Sequence, residues 1–114
     1  MDTSKPNILI LRFSSIGDII LSSVFIRQVR NTFPSACIDF VIKKEFLDLV
    51  KYNPNLNQIY TFDKSSKKVD LKGLRSQLRE KKYDFIFDIH NNFRTNYLHR
   101  NNNSGKIWKI KKIK

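Results

Sequence analysis

The feature that most constrains the fold is a regular alternation of short apolar runs with segments of helical spacing. The first run, residues 7–13 (NILILRF), is continuous rather than alternating. Such a run is typical of a strand that is buried on both faces of a parallel sheet. Downstream of a polar turn, apolar residues recur at helical spacing up to Pro34, which predicts a helix that ends there.

The same pattern repeats along the chain. It predicts further strands at 38–42, 58–62 and 83–89, and helices at 44–52, 71–82 and 93–100. A charged, Ser/Lys-rich loop is expected at 63–70. Strands separated by helices of this length predict an α/β fold, a Rossmann-like parallel sheet flanked by helices and joined by right-handed crossovers.

The length of 114 residues suits one domain, and a hydrophobic fraction of 40% is enough for a modest core. We expect residues 1–100 to form an incomplete Rossmann-like domain. An Asn-rich breaker segment follows, and the chain closes on the basic sequence KIWKIKKIK. Residues 101–114 are therefore predicted to be a basic tail or the start of the next strand unit.

The formal net charge is +12, and it is unevenly distributed. Residues 94–114 contain seven Lys and Arg residues and no acidic residue, which gives +7, so residues 1–93 carry the remaining +5. A basic balance favours anionic partners, namely nucleic acid, anionic lipid surfaces or nucleotide sugars. A solvated tail without a partner explains the same charge equally well.

Several classes of site and location are disfavoured. The single cysteine, Cys37, permits no disulfide within the chain and no cysteine zinc site, and we expect it to be a small apolar residue at a strand start. His90 and His99 lack a third ligand at credible spacing, so no metal site is predicted. No signal peptide and no apolar run long enough to span a bilayer is visible, which predicts a cytoplasmic location.

In open α/β sheets, ligands bind beyond the carboxyl ends of the strands, and two loops leave such ends here. The first contains Ser14, Ser15, Gly17 and Asp18 and opens a helix, whose unpaired N–H groups attract phosphate or carboxylate. Gly17 would let a ligand approach the backbone. Asp18 is either a helix cap and nothing more, or a catalytic carboxylate. Neither the dinucleotide fingerprint nor the P-loop pattern is present.

The second loop follows the fourth predicted strand. It offers His90, Asn91, Asn92 and Arg94, which supply an imidazole, two amides and a guanidinium. Arginine suits bidentate binding of carboxylate or phosphate. The alternative is that the asparagines only shape the turn and that the arginine is solvated.

Residues 8–23 (ILILRFSSIGDIILSS) resemble the N-terminus of the lipopolysaccharide heptosyltransferases, glycosyltransferase family 9. Further stretches resemble that family in order and spacing over about residues 7–100. They are Ile26-Arg27, Phe33-Pro34, residues 38–41 and 43–46, Asn53-Pro54 before Ile59, and Tyr83-Asp84 before residues 88–94.

The resemblance implies the N-terminal half of a GT-B glycosyltransferase. Such enzymes transfer heptose from ADP-heptose to a lipid A inner-core acceptor, with inversion and without a required metal or other cofactor. Asp18 matches the family's proposed general base. The remaining residues of the two loops, Ser14, Ser15, Gly17, His90, Asn91, Asn92 and Arg94, are then expected to bind the acceptor. The implied partners are this acceptor and the nucleotide sugar, with peripheral contact to the anionic inner face of the cytoplasmic membrane, and no specific nucleic acid is expected.

The family's second, donor-binding domain has no counterpart in the sequence, so we expect this chain alone to be inactive. The alternative function is a non-catalytic module that binds nucleic acid or anionic membrane through its basic tail. Its sequence feature is the +7 segment with Trp108 and interleaved isoleucines. Binding of that kind would weaken steeply with salt.

Overall fold

A computed structural model describes residues 5–13, 16–63, 67–90, 93–99 and 106–109. The strands are β1 (Asn7–Leu11), β2 (Cys37–Lys43), β3 (Gln58–Phe62), β4 (Phe85–Asp88) and β5 (Lys106–Lys109). The helices are α1 (Ile16–Thr32), α2 (Lys67–Glu80) and α3 (Phe93–His99), and a 3-10 helix spans Lys44–Leu49.

The described strands form one parallel sheet in the order β3-β2-β1-β4-β5. The predicted α/β class and parallel sheet are therefore confirmed. Residues 101–114 were predicted to be either a basic tail or the start of the next strand unit. Within this segment, Lys106–Lys109 forms β5, which pairs with Phe85–Asp88. The first two connections run outward to β2 and β3, and the chain then returns to the other side of β1. The order in which the chain adds strands thus reverses between β1 and β4. In open α/β folds, ligands bind at such a switch point.

Alternation along β1 divides the core into two layers. Ile8 and Ile10 face α1, where they pack with Ile19 and Ile26. Leu9 and Leu11 face the opposite layer, which contains buried residues of α2 and α3. These leucines and isoleucines are fully buried, as expected for a strand covered on both faces.

Several element boundaries differ from the sequence prediction. The predicted helix at 44–52 is a 3-10 helix that ends at Leu49, and Asn53-Pro54 follow it closely. Helix α2 begins at Lys67, so the loop predicted at 63–70 is shorter than expected. Three of the first four residues of α2 are charged, so the apolar spacing by which a helix is recognised starts only after them. None of the described helices is long and apolar enough to cross a membrane.

Candidate functional site

The carboxyl ends of β1 and β4 lie side by side at the point where the strand order reverses. Leu11 is in register with Asp88, and the His90 N–H donates to the Leu11 carbonyl at 3.1 Å. On the other side, the Arg12 N–H donates to Val41 O at 3.1 Å. The described residues at which the two loops begin, Arg12 and His90, therefore lie close together at the carboxyl end of the sheet.

Arg12, the first residue after β1, connects these two loops. Its guanidinium Nη2 lies 2.6 Å from Asp18 Oδ2, and its Nη1 donates to the Ile89 carbonyl. The arginine side chain is mostly buried, whereas 48% of the Asp18 side chain is exposed. A largely buried cation thus holds a carboxylate whose remaining surface faces solvent, and a guanidinium is well shaped for that contact.

Asp18 is the third residue of α1, inside the first turn rather than at the cap position that the sequence suggested. The helix begins at Ile16, three residues earlier than a cap at Asp18 requires. A negative charge in the first turn of a helix is stabilised by the helix dipole. In this position Asp18 also forms an ion pair with Arg12.

Gly17 is exposed in the first turn of α1. A Cβ atom placed there would meet nothing within 4 Å. The packing of the described residues therefore does not require a glycine at this position. Open space in front of the backbone is what the approach of a ligand would need.

His90 lies beside Phe13, with a distance of 5.1 Å between the ring centroids. Phe13 is buried and also packs on Phe62 at 5.2 Å, so the imidazole rests on a fixed aromatic surface. The half-buried histidine is thus placed at the sheet edge near Arg12, as the sequence predicted from its position after β4. Arg94 is the second residue of α3. Ser14, Ser15, Asn91 and Asn92 lie outside the described residues.

Helix α3 is fixed to the end of β4 by a buried pair that the sequence analysis did not propose. His99 Nε2 lies 2.9 Å from Asp88 Oδ2, and both side chains are almost fully buried. The pair joins the two ends of the segment that carries His90 and Arg94. Asp88 was within the motif of the second loop, but its partner becomes evident only when the helix is folded back.

A second polar cluster lies at the amino-terminal end of the sheet. Asp39 of β2 is fully buried and accepts hydrogen bonds from Lys81 Nζ and Tyr83 Oη, both at 2.7 Å. Lys81 Nζ also donates to Cys37 Sγ at 3.2 Å. Cys37 does start a strand, and its thiol also contacts the charged groups of Lys81 and Asp39.

The surroundings of Lys81 and Tyr83 raise the pKa of each of these two side chains. Burial acts to lower the pKa of Lys81, but its bonds to Asp39 and Cys37 outweigh this and raise the pKa above its ordinary value of 10.5. Burial, followed by the bond to Asp39, raises the pKa of Tyr83 well above its usual range. The described residues contain no group of three or more potential metal ligands.

Comparison with solved structures shows that the fold of this chain is similar to that of glycosyltransferases. The glycosyl transferase family 9 protein from Veillonella parvula DSM 2008 aligns with a TM-score of 0.72 and 30% identity, over 82% of this chain and 28% of that one. E. coli heptosyltransferase WaaC with ADP aligns with a TM-score of 0.74 and 19% identity, over 88% and 34% of the two chains. E. coli ADP-heptose lps heptosyltransferase II aligns with a TM-score of 0.62 and 22% identity, over 82% of this chain and 27% of that one.

The fold is thus that of a Rossmann-like half of a GT-B glycosyltransferase, and the predicted fold class is confirmed. The resemblance to glycosyltransferase family 9 is confirmed as well, since solved structures of that family match most of this chain. The chain spans between about a quarter and a third of the length of these relatives. No protein-family model and no curated protein sequence matches it. The alternative of a non-catalytic binding module is not favoured by these matches.

Proposed function

We propose that this chain is the N-terminal, acceptor-side part of a heptosyltransferase of lipopolysaccharide core biosynthesis. The reaction is the transfer of heptose from ADP-heptose to a lipid A inner-core acceptor, with inversion at the anomeric carbon. The observation that carries the proposal is the half-exposed Asp18 carboxylate. Arg12 forms an ion pair with it at the carboxyl end of the sheet, where the strand order reverses. Related structures add support, because WaaC has been solved with ADP and with a fluorinated ADP-heptose.

In the proposed reaction Asp18 is the general base. It accepts the proton of an acceptor hydroxyl as that oxygen forms a bond to the anomeric carbon. The bond between the anomeric carbon and the phosphate oxygen breaks, and ADP leaves with its electron pair. Attack from the side opposite the leaving group accounts for inversion, and the step needs no cofactor and no metal.

Arg12 has a positioning role in this proposal. Its contacts with Asp18 and the Ile89 carbonyl join the two loops, so one side chain fixes the base relative to the second loop. The guanidinium also favours the ionised carboxylate, which is the form that accepts a proton. Its position directly after a buried strand, at the carboxyl end, is the signal by which the sequence could have identified it.

The acceptor is proposed to lie across the two loops. Ser14, Ser15 and Gly17 would contact it from the first loop, and His90, Asn91, Asn92 and Arg94 from the second. Hydroxyls, amides and an imidazole suit the hydroxyl groups of a sugar, and a guanidinium suits its carboxylate or phosphate groups. The open space beside Gly17 supports close approach of a ligand on that side.

A transfer assay tests the proposal. The longest reading frame that contains this chain is incubated with ADP-heptose and a lipid A inner-core acceptor, and the heptosylated product is detected by mass spectrometry. We expect product from that frame, and acceptor binding without product from the 114 residues alone. No transfer from any frame, combined with no acceptor binding by the 114 residues, would contradict the proposal.

A further inference from the structure

Cys37 is a chemically reactive side chain that the proposed function does not use. It is the only cysteine of the chain, and it is half-buried at the start of β2. Its register with Asn7 places it at the amino end of the parallel sheet, whereas Asp18 lies beyond the carboxyl end. Chemistry at Cys37 therefore involves none of the groups assigned to the transfer reaction.

The sulfur atom of Cys37 contacts a cation and a carboxylate. Lys81 Nζ donates a hydrogen bond to Cys37 Sγ at 3.2 Å, and Cys37 Sγ donates to Asp39 Oδ1 at 3.7 Å. The thiolate is the form of cysteine that attacks an oxidant. The thiol proton thus has a hydrogen-bonded acceptor in Asp39, and the charge of the thiolate would face the ammonium group of Lys81.

The nitrogen atom of Lys81 is held beside this sulfur. Asp39 Oδ2 accepts a hydrogen bond from it at 2.7 Å, and the ammonium lies 5.7 Å from the centroid of the Tyr83 ring. The side chain of Lys81 is 30% exposed, and its four-carbon stem is flexible, so the nitrogen can move closer to the sulfur. Two potential reaction partners that are 44 positions apart in the sequence are thus in contact in the folded chain.

We propose that Cys37 is an oxidation site at which hydrogen peroxide joins the Cys37 sulfur covalently to the Lys81 nitrogen. Peroxide converts a thiol to a sulfenic acid, which then condenses with a second thiol or with a nitrogen atom. The chain has no second cysteine, whereas the amine of Lys81 is in contact with the sulfur. The product is a sulfenamide, in which one S–N bond joins the start of β2 to the residue that follows α2.

The reaction has two steps. In the first, the Cys37 thiolate attacks one oxygen atom of hydrogen peroxide, the O–O bond breaks, and the hydroxide that leaves takes up the thiol proton to form water. Sulfur is thereby oxidised by two electrons to the sulfenic acid, and the peroxide is reduced. In the second, the Lys81 ammonium releases one proton to solvent through Asp39, and the nitrogen lone pair attacks the sulfur. The S–O bond breaks, and the hydroxyl group leaves as water with a second proton from the nitrogen.

The second step is expected to be the slower one. Burial acts to lower the pKa of Lys81, but its bonds to Asp39 and Cys37 raise the pKa above its ordinary value, so the free amine is scarce at neutral pH. The sulfenic acid should therefore accumulate before the link forms. The link is reversible, because two molecules of a thiol reductant restore the cysteine thiol and the lysine amine and are themselves oxidised to a disulfide.

Treatment of the 114-residue chain with hydrogen peroxide tests this inference. The protein is reduced, freed of reductant, oxidised and analysed by intact mass and by peptide mapping. We expect a mass loss of about 2 Da, for the two hydrogen atoms removed, and a cross-linked peptide pair that contains Cys37 and Lys81. Dimedone added early should label Cys37 as the sulfenic acid, and dithiothreitol should reverse the link.

Matched controls separate this pair from general oxidation. Lys81→Arg keeps a cation beside Asp39 but replaces the amine with a guanidinium that does not lose its proton, so Cys37 should be oxidised without a link. Lys82→Arg makes the same change at an exposed neighbour and should form the link as wild type does. Circular dichroism checks that both variants are folded. Wild-type chain in concentrated urea loses the contact, and its yield of link should be at least about tenfold lower.

Three results would overturn the proposal. The first is a folded wild-type chain in which peroxide leaves Cys37 unchanged or oxidises it without a link to Lys81. The second is an equal yield of link in concentrated urea, which would show that the fold does not direct the reaction. The third is a cross-linked peptide that has gained an oxygen atom, which excludes a direct S–N bond. The test involves no nucleotide sugar and no acceptor, so its failure leaves the proposed transfer reaction untouched.

Discussion

An aspartate paired with a cation lies at each of the two ends of the sheet, and the two aspartates differ in burial. At the amino end, Asp39 is fully buried and accepts bonds from Lys81 and Tyr83. At the carboxyl end, nearly half of the Asp18 side chain is exposed, and Arg12 forms an ion pair with it. A carboxylate with satisfied, buried oxygens is suited to holding the sheet together, whereas one with exposed surface remains accessible to a ligand.

We therefore expect the buried pair to contribute stability, and under the proposed function the half-exposed pair to contribute to the reaction. Breaking a buried pair leaves a charge without compensation, which is costly, whereas an exposed pair contributes little to stability. Substitutions at the two pairs should therefore differ in how much they change the free energy of unfolding.

The largest effect is expected at Lys81. Lys81→Met removes the cation from the buried Asp39 and should lower the free energy of unfolding by about 3 kcal/mol. Lys82→Met, the matched control, changes an exposed neighbour and should stay within about 0.5 kcal/mol of wild type. Urea unfolding measures both. Equal, small effects from the two variants would show that the buried pair does not hold the sheet.

Tyr83→Phe is expected to cost about 2 kcal/mol, because it removes a hydrogen bond to a buried carboxylate while keeping the ring. It should also change the alkaline response. The folded-state pKa values of Tyr83 and Lys81 are raised, so their stabilisation is present below pH 10 and is lost as the pH rises through and above the unfolded values of 10.0 and 10.5.

Urea unfolding at several alkaline pH values measures this loss. Wild-type stability should fall above pH 10 by up to about 1.4 kcal/mol per pH unit for each group. The Tyr83→Phe variant should fall less steeply. Identical slopes for the two proteins would show that Tyr83 does not keep its proton in the folded state.

Arg12→Gln is expected to cost about 1 kcal/mol, since the arginine contacts a half-exposed carboxylate and one backbone carbonyl. Its effect on acceptor binding should be larger than its effect on stability, because the two loops lose their connection. Titration of the acceptor followed by calorimetry measures the affinity. Unchanged affinity in a destabilised variant would assign Arg12 to the structural class, together with Lys81.

Gly17→Ala should slightly stabilise the protein, by up to about 1 kcal/mol, because both the helix and the open space admit a methyl group. Gly73→Ala in α2 is the matched control, since a Cβ there also meets nothing within 4 Å. Both variants should unfold at slightly higher urea concentration. Only Gly17→Ala is expected to weaken acceptor binding, and equal affinities would remove Gly17 from the proposed site.

The fold could be predicted from the sequence to a large extent, since apolar runs such as residues 8–11 locate strands directly. The position of the two loops followed from the rule for parallel sheets. The contacts of Arg12 could not be predicted from periodicity. Arg12 contacts Asp18 across a turn, and it contacts Ile89 only because β4 lies next to β1 in the sheet. Asp39 is a charged residue in an apolar strand, which signals a buried partner but does not identify Lys81, 42 positions away.

The most direct test of the account measures Asp18→Asn beside Asp39→Asn, both in the longest reading frame that contains this chain. For Asp18→Asn we predict that the transfer rate per folded molecule falls by about a hundredfold or more, with urea unfolding close to that of wild type. For Asp39→Asn we predict clear destabilisation and a nearly normal rate per folded molecule. Glu80→Gln, an exposed carboxylate on α2, should change neither quantity. Transfer at the full rate by the Asp18→Asn protein would contradict the assignment of Asp18 as the base.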